Sequence, residues 1–222
     1  QFLLESHHFT YLSCGRDLLF PKTPSKPEAL PRIFAGPDYA MANPAGFEFA
    51  PLPGTLAEAE SLKQMMPRAQ VFTGPQATEG QLKAATNPSL LHVATHGFYL
   101  SKTPDFQGGR GLKRKKTAPP TSQTLDRSPP GFFVLQSPLL RCGLAMAGAN
   151  ELSGGGDEDG ILTALELTGM DLRGTKLLVL SACETGVGEI VSGEGVFGLR
   201  RGLQLAGART QVLSLWKVHD EA

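Results

Sequence analysis

The sequence predicts an α/β fold with a mostly parallel central sheet covered on both faces. Two observations support this prediction. Short apolar stretches alternate with helical patterns along most of the chain, and two of these stretches, residues 91–97 (LHVATHG) and 178–186 (LVLSACETG), stop abruptly on a reactive side chain near glycine. Such runs are typical of strands buried in a parallel sheet, which deliver side chains to the rim of the sheet.

The first half of the chain predicts strand and helix in alternation. A strand at 32–36 follows the proline-rich connection 21–31, and a second strand is predicted at 69–73. Two capping boxes, at 55–58 (TLAE) and 78–81 (TEGQ), each predict the start of a helix. The second helix precedes the strand that is predicted to end at His96. The apolar stripe of the first helix is predicted to be Leu56, Ala59, Leu62 and Met65.

The second half continues the alternation after a change in composition. A strand is predicted at 139–147, and a third capping box at 163–166 (TALE) predicts a short helix. A polar loop is predicted at 153–159. The remaining elements are predicted as a strand at 176–181, a helix at 194–206 and a strand at 211–216.

Residues 101–138 interrupt this pattern with Lys, Gly, Pro, Ser and Thr. A segment of this composition buries too little apolar surface to order itself, so it is predicted to be a mobile insert. Its basic cluster, Lys113–Lys116, is interpreted as a solvated loop. The whole chain, 1–222, is predicted to form a single domain that contains this insert. Because the chain starts with Gln1 and stops just after an apparent strand, the domain is expected to be truncated at both ends.

Composition excludes several classes of function. With 41% hydrophobic residues and zero formal net charge among 222 residues, the chain can bury a core but lacks the cationic surplus of a nucleic-acid-binding protein. No apolar run approaches the ~20 residues that span a bilayer, and no secretory signal is apparent. The three cysteines, an odd number at irregular spacing, argue against a disulfide framework. A cytoplasmic location is predicted.

His96 and Cys183 are the candidate catalytic residues. If their strands are neighbours, imidazole and thiol face each other across the crevice at the carboxyl ends of the strands, where ligands gather in such sheets. A nearby imidazole and the N-terminus of a following helix favour the thiolate, which is the nucleophile. The backbone N–H groups of Gly97 and Cys183 are predicted to hold the oxyanion of a tetrahedral intermediate.

The pattern alone leaves other interpretations open. A lone cysteine that ends a strand is more often a small core residue than a nucleophile, and His92 lies on the same strand face as His96. His96 is preferred because it stands beside glycine at the strand's end. The glycine pattern at 193–198 fits GxGxxG, but it does not directly follow a strand, which disfavours dinucleotide binding. No Walker loop, GxSxG motif or zinc spacing occurs, so neither metal nor cofactor is expected.

Five ordered motifs follow one another along the chain: LHVATHG (91–97), DGILTA (159–164), LSACETG (180–186), SGEGV (192–196) and SLWKV (214–218). The distance between His96 and Cys183 is 87 residues, or 49 without the insert, against roughly 50 in caspases. The five motifs resemble those of the CHAT domain family, which consists of caspase-like domains commonly joined to tetratricopeptide repeats. The resemblance runs from about residue 11 to the end of the chain.

The resemblance implies a caspase-like α/β/α sandwich and a peptidase with His96 as general base and Cys183 as nucleophile. Protein or peptide substrates and a tetratricopeptide-repeat or sensor region in the full-length protein are the implied partners. The alternative is a catalytically latent binding or signalling module on the same fold. Candidate residues of the substrate cleft are Ser181, Glu184, Asp159 and Trp216. Ser181 occupies the position where some relatives place an acid that binds a basic side chain.

Overall fold

A central parallel sheet organises the molecule, as seen in a computed structural model that describes residues 6, 29–39, 49–99, 137–151, 158–182, 188–191 and 195–214. Five strands lie in the order β10-β7-β3-β1-β2, and every neighbouring pair is parallel. The strands are β1 (Arg32–Pro37), β2 (Gln70–Gly74), β3 (Leu90–Ala94), β7 (Leu177–Ser181) and β10 (Gln211–Leu213).

Helices cover both faces of this sheet, which confirms the predicted fold class. One helix, α1 (Pro53–Met65), packs on β1 and contributes Ala59 to a small core with Ile33 and Ala35. The opposite face carries the larger core, with Leu91 and the other inward-facing strand residues under three helices. Those helices are α2 (Glu79–Lys83), α3 (Ala164–Leu167) and α4 (Leu199–Leu205).

The strands that precede the two candidate catalytic residues are direct neighbours. Strand β3 pairs with β7 over its whole length, with His92 opposite Val179 and Ala94 opposite Ser181. This confirms the expectation on which the His96–Cys183 interpretation depends. Because registered residues in a parallel pair point to the same side, His92, Ala94, Val179 and Ser181 share the face that α1 occupies.

Two smaller antiparallel sheets were not expected from the sequence. Strands β4 (Gly97–Tyr99), β5 (Cys142–Ala145) and β6 (Ile161–Thr163) form one, and β8 (Gly188–Val191) and β9 (Gly195–Gly198) form a hairpin. The predicted strand 139–147 is therefore wrong at its start, because a 3-10 turn at Pro138–Leu140 precedes β5.

The predicted helix at 194–206 is also wrong in its first part. Residues 195–198 pair with β8, and the helix begins only at Leu199. The hairpin supplies a partner for the backbone of a glycine-rich segment that has little helix propensity. Close packing of α4 depends instead on Gly202, where an added Cβ would lie 2.6 Å from the Ala164 carbonyl oxygen of α3.

Two of the three predicted helix caps are present. Thr163 forms the reciprocal capping box with Glu166, and the Thr78 hydroxyl accepts from the Gln81 N–H. The box at 55–58 is wrong, because α1 already begins at Pro53, whose fixed φ suits the first helical turn. Thr55 lies inside that turn and donates to the Leu52 carbonyl.

The predicted apolar stripe of α1 is only partly correct. Leu56 and Met65 are 46% and 77% exposed, whereas Ala59 is buried and Leu62 packs against the small core. Starting the helix two residues earlier does not change its periodicity, but the buried side runs through Thr55 and Ala59. Thr55, predicted as a cap, is therefore buried, and Leu56, predicted for the apolar stripe, is exposed.

Several predictions fall outside the described residues. These include residues 100–136, which make up nearly all of the predicted insert, the loop residues 152–157, and residues 215–222 at the end of the predicted last strand. Pro138, the last residue assigned to the insert, begins the 3-10 turn. Within the described part of the chain, no helix combines the length and apolar character needed to cross a membrane.

Candidate active site

His96 lies just beyond the carboxyl end of β3, between that strand and β4. Strand β3 ends at Ala94, two residues earlier than predicted, and β4 starts at Gly97. The chain therefore leaves the parallel sheet at His96 and enters the antiparallel sheet at the next residue. A side chain at such a branch point stands at the rim of the sheet, where ligands bind in open α/β folds.

Backbone and hydroxyl contacts fix this branch point from three sides. The Thr95 N–H donates to the Ser181 carbonyl at 3.2 Å, which extends the contact between β3 and β7. The Ala145 N–H donates to the His96 carbonyl at 2.9 Å, and the buried Thr95 hydroxyl donates to the Ala145 carbonyl at 2.5 Å. Since that hydroxyl proton is used, the Tyr39 hydroxyl donates to Thr95 Oγ1 at 2.8 Å.

The His96 ring is oriented by one carbonyl and two aromatic rings. Its Nε2 lies 2.7 Å from the Ala50 carbonyl oxygen. Because a carbonyl can only accept, Nε2 carries the proton, and in the neutral ring Nδ1 holds the lone pair. The rings of Tyr39 and Phe49 lie 5.3 and 5.5 Å from the imidazole, centroid to centroid. His96 is thus held in the tautomer of a base that acts through Nδ1.

Asn150 holds the segment that supplies this carbonyl. Its Oδ1 accepts from the Phe49 N–H at 2.7 Å, and its Nδ2 donates to the Phe49 carbonyl at 3.0 Å. The Asn150 N–H also donates to the Tyr39 carbonyl at 2.9 Å. Asn150 therefore holds Phe49, the residue before Ala50, through its buried side-chain amide and Tyr39 through its backbone N–H.

The register of β4 leaves the Gly97 N–H out of the ladder with β5. Gly97 is opposite Leu144, and the Ala145 N–H donates to the His96 carbonyl. In an antiparallel pair this pattern makes Gly97–Leu144 a non-hydrogen-bonded pair, whose N–H groups point away from the partner strand. The Gly97 N–H therefore does not donate to β5.

The strand on the other side of the crevice is described up to Ala182. The Ser214 hydroxyl, just after β10, donates to the Ala182 carbonyl and holds the end of β7 against the neighbouring strand. Cys183, which follows directly, lies outside the described residues, as do Glu184 and Trp216. The structure thus places His96, Gly97 and Ser181 at adjoining strand ends.

His92, the competing histidine, lies deeper in the sheet and faces α1. It is 4% exposed, and its Nε2 lies 3.0 Å from Oε1 of Glu58. Glu58 also interacts with the Ser181 hydroxyl. The contact with His92, and to a smaller extent that with Ser181, lowers the pKa of the Glu58 carboxyl against the opposing effect of burial. His92 is therefore a buried partner of α1 and does not stand at the rim.

Asp159, the fourth cleft candidate, is exposed at the start of the antiparallel sheet. Its Oδ1 accepts from the Ile161 N–H at 2.9 Å, a local turn that leads into β6. Of the two cleft candidates that the structure describes, Ser181 contacts the strand that leads to His96, through the Thr95 N–H.

A family comparison decides what kind of domain carries this geometry. The family model described as the CHAT domain matches residues 1–222, the whole chain. The chain belongs to the CHAT family. CHAT domains are a caspase-like family, so this chain has a protease-like fold. A search of curated proteins finds no match to the chain.

Four supporting residues of this CHAT domain were not found by sequence reasoning. Tyr39, Ala50 and Asn150 carry no motif, since they act through packing and backbone contacts set by the tertiary fold. Glu58 did carry a signal, but it was assigned to a helix cap. The helix begins earlier, which frees the Glu58 carboxylate to reach His92 and Ser181 on the sheet.

Proposed function

We propose that this CHAT domain is a cysteine endopeptidase, with Cys183 as nucleophile and His96 as general base and acid. The observation that carries the proposal is the 2.7 Å contact between His96 Nε2 and the Ala50 carbonyl, at the end of the strand that pairs with β7. A histidine held in this tautomer directs its basic nitrogen away from its support. Cys183 follows β7 by two residues.

The reaction begins when His96 Nδ1 takes the proton of the Cys183 thiol. The thiolate attacks the peptide carbonyl carbon, and the oxyanion is held by the N–H groups of Gly97 and Cys183. His96 then gives its proton to the leaving nitrogen, the C–N bond breaks, and a thioester remains. Water, deprotonated by His96, attacks the thioester, and the sulfur leaves with the returned proton as the thiol. The Gly97 N–H does not donate to β5, which supports its proposed role as a donor to the oxyanion.

Peptide cleavage by the purified chain tests the proposal. Wild type is incubated with a diverse peptide library, and the cuts are mapped by mass spectrometry. We expect Cys183→Ala and His96→Gln to lose cleavage by at least about 10³-fold, since removal of a catalytic group costs this order of rate. Cleavage that survives in Cys183→Ala would contradict the proposal.

Cys142 provides a matched control. It is a free, buried thiol on β5, and burial raises its pKa to about 12. Cys142→Ala is therefore expected to keep the wild-type cleavage pattern, and iodoacetamide at pH 7 is expected to label Cys183 at least 10-fold faster than Cys142. A folded protein with a fast-reacting Cys183 but no cleavage would favour the alternative, a latent binding or signalling module.

The proposal also covers the location of the protein and the region that controls its activity. A free thiolate persists most readily in a reducing compartment, and the free thiol of Cys142 is compatible with one, so we propose a cytoplasmic location. The CHAT family is commonly joined to tetratricopeptide repeats. We therefore propose a repeat or sensor region in the full-length protein as the element that controls access of protein substrates.

A further inference from the structure

The face of the sheet that carries Ser181 is covered unevenly. One row of registered residues crosses it, from Ile33 on β1 through His92 and Val179 to Val212 on β10. Ile33 is fully buried under α1, Val179 is half-buried, and Val212 is 53% exposed. Among the described residues, helix α1 thus packs mainly on β1 and β2, and exposure along the row rises toward β7 and β10.

Glu58 stands at the boundary between the covered and the open part. Its side chain leaves the second turn of α1, reaches His92 under the helix and interacts with Ser181 on β7. About a third of the side chain, 36%, remains exposed. A carboxylate accepts about four hydrogen bonds, so these two contacts leave part of its capacity unused.

The charge of Glu58 is retained. Its lowered pKa keeps the carboxyl ionised at neutral pH. Among the described residues, the basic side chain that contacts this carboxylate is His92, and Lys63 of the same helix instead donates to the Ala69 carbonyl. A fixed anion beside an apolar strip fits a long cationic side chain, whose methylenes pack on the strip while its charged end pairs with the carboxylate.

The position of Ser181 links this anion to the proposed reaction. Ser181 is two residues before Cys183 in the sequence, and its carbonyl accepts from the Thr95 N–H beside His96. Two residues of chain span at most about 7 Å, so Glu58, which interacts with Ser181, is near both proposed catalytic positions. A long side chain on the substrate residue that Cys183 attacks can therefore reach Glu58. Ser181 itself has no charge, and among the described residues Glu58 is the acid that contacts it.

We infer that Glu58 is the specificity-determining residue of this CHAT domain and selects substrates with Lys or Arg immediately before the cleaved bond. The inference rests on the proposed peptidase function. In this arrangement, Val179 and Val212 contact the aliphatic part of the substrate side chain. His92 and Ser181 orient the Glu58 carboxylate that pairs with its charged end. The anion is supplied by a helix that packs on the neighbouring strands, not by the strand that leads to the nucleophile.

Paired substrates test the inference. The value of kcat/KM is measured for peptides identical except for Arg, Lys, Gln or Leu before the cleaved bond. Wild type is expected to prefer Arg and Lys over Gln by at least 10-fold. Glu58→Gln, which keeps the shape of the side chain, is expected to remove this preference by a 10- to 100-fold loss on Arg and Lys and a change below 3-fold on Leu. Glu58→Lys is expected to reject the basic peptides.

Glu60→Gln is the matched control, since it removes one carboxylate from an exposed position of the same helix. It is expected to leave the Arg-to-Gln ratio unchanged. Equal losses on all four peptides in Glu58→Gln would show a purely structural residue and overturn the inference, as would a wild-type enzyme that does not prefer Arg or Lys.

A binding measurement separates failure of this inference from failure of the peptidase proposal. In Cys183→Ala, the affinity of a fluorescent hexapeptide with one central Arg is compared with that of the same peptide with Gln. We expect about 10-fold tighter binding of the Arg peptide, and loss of that difference in Cys183→Ala/Glu58→Gln. This holds whether or not the wild type cleaves. Equal binding of both peptides overturns the role of Glu58, and absence of cleavage alone overturns only the peptidase proposal.

Discussion

On the face of the sheet under α2, α3 and α4, the carboxylate of Glu79 is buried against Lys83, which also binds Glu166 at 2.8 Å. On the face under α1, the carboxylate of Glu58 stays about one third exposed beside His92. Both are acids on helices that pack on the same sheet. The first lies in an ion cluster that joins α2 to α3, whereas the second lies at the edge of its helix.

The surroundings of Glu79 and Glu58 shift the pKa values of these two acids in opposite directions. Burial raises the pKa of Glu79 to about 7, even though Lys83 acts against it, and Glu166 adds a repulsive charge. Contact with His92 lowers the pKa of Glu58. The comparison shows how packing decides the role of a carboxylate. Glu79, buried between helices, serves the structure, whereas Glu58, partly exposed at the edge of its helix, keeps a charge that a ligand can bind.

The largest expected difference between the faces concerns apolar packing. Leu178 is fully buried in the larger core, and its neighbour Leu177 is only half-buried on the other face. Leu178→Ala is expected to lower the free energy of unfolding by about 2–5 kcal/mol, and Leu177→Ala by less than about 1.5 kcal/mol. Urea denaturation of both variants measures this. Equal losses would show that α1 and its surroundings close their face as completely as the other helices close theirs.

The next effect comes from the ion cluster. Lys83→Met leaves Glu79 buried without its cation and is expected to destabilise the fold by about 1–3 kcal/mol at pH 8, because an uncompensated buried charge is costly. Lys83→Met/Glu79→Gln is expected to recover most of this loss, since the remaining amide carries no charge. A double variant as unstable as the single one would argue that Lys83 stabilises the fold through Glu166 alone.

The effect with the clearest sign is the pH dependence of stability. The pKa of Glu79 is about 7 in the folded protein against an ordinary value of 4.5, so its protonated form is favoured in the native state, and its contribution to stability falls as pH rises through that window. Glu58 has a lowered folded pKa, so its contribution is present above about 4.5 and is lost as pH falls below it.

Thermal unfolding between pH 3.5 and 8 measures both contributions. We expect Glu79→Gln to flatten the decline of stability between pH 5 and 8, and Glu58→Gln to change the curve only at the acidic end, by less than about 1 kcal/mol because the group is partly exposed. If Glu58→Gln instead flattened the stability curve near neutral pH, the Glu58 carboxyl of the wild type would titrate in that range. The acids on the two faces would then no longer differ in the direction of their pKa shifts.

The sequence by itself determined the mostly parallel sheet and the caps at Thr78 and Thr163, whereas the adjacency of the strands that lead to His96 and Cys183 entered only as a condition that the structure meets. The sheet and the caps depend on local chemistry, namely the length of apolar runs and the hydrogen bonds that short polar side chains offer to a helix end. The five CHAT motifs pointed to the family for the same reason, because each lies within a short segment.

Only the tertiary structure decided the rest. The helix predicted from 194 became a hairpin followed by α4 because β8 pairs with residues 195–198, a contact that periodicity cannot reveal. The support of His96 depends on contacts between distant segments: the Ala50 carbonyl is 46 residues from His96, and the Asn150 side chain binds Phe49 across 101 residues. No local pattern predicts such contacts, because the Ala50 carbonyl is a group that every residue carries and the Asn150 partner is a backbone far along the chain. Glu58 has the sequence position of a capping acid, but the start of α1 at Pro53 placed its carboxylate on the sheet.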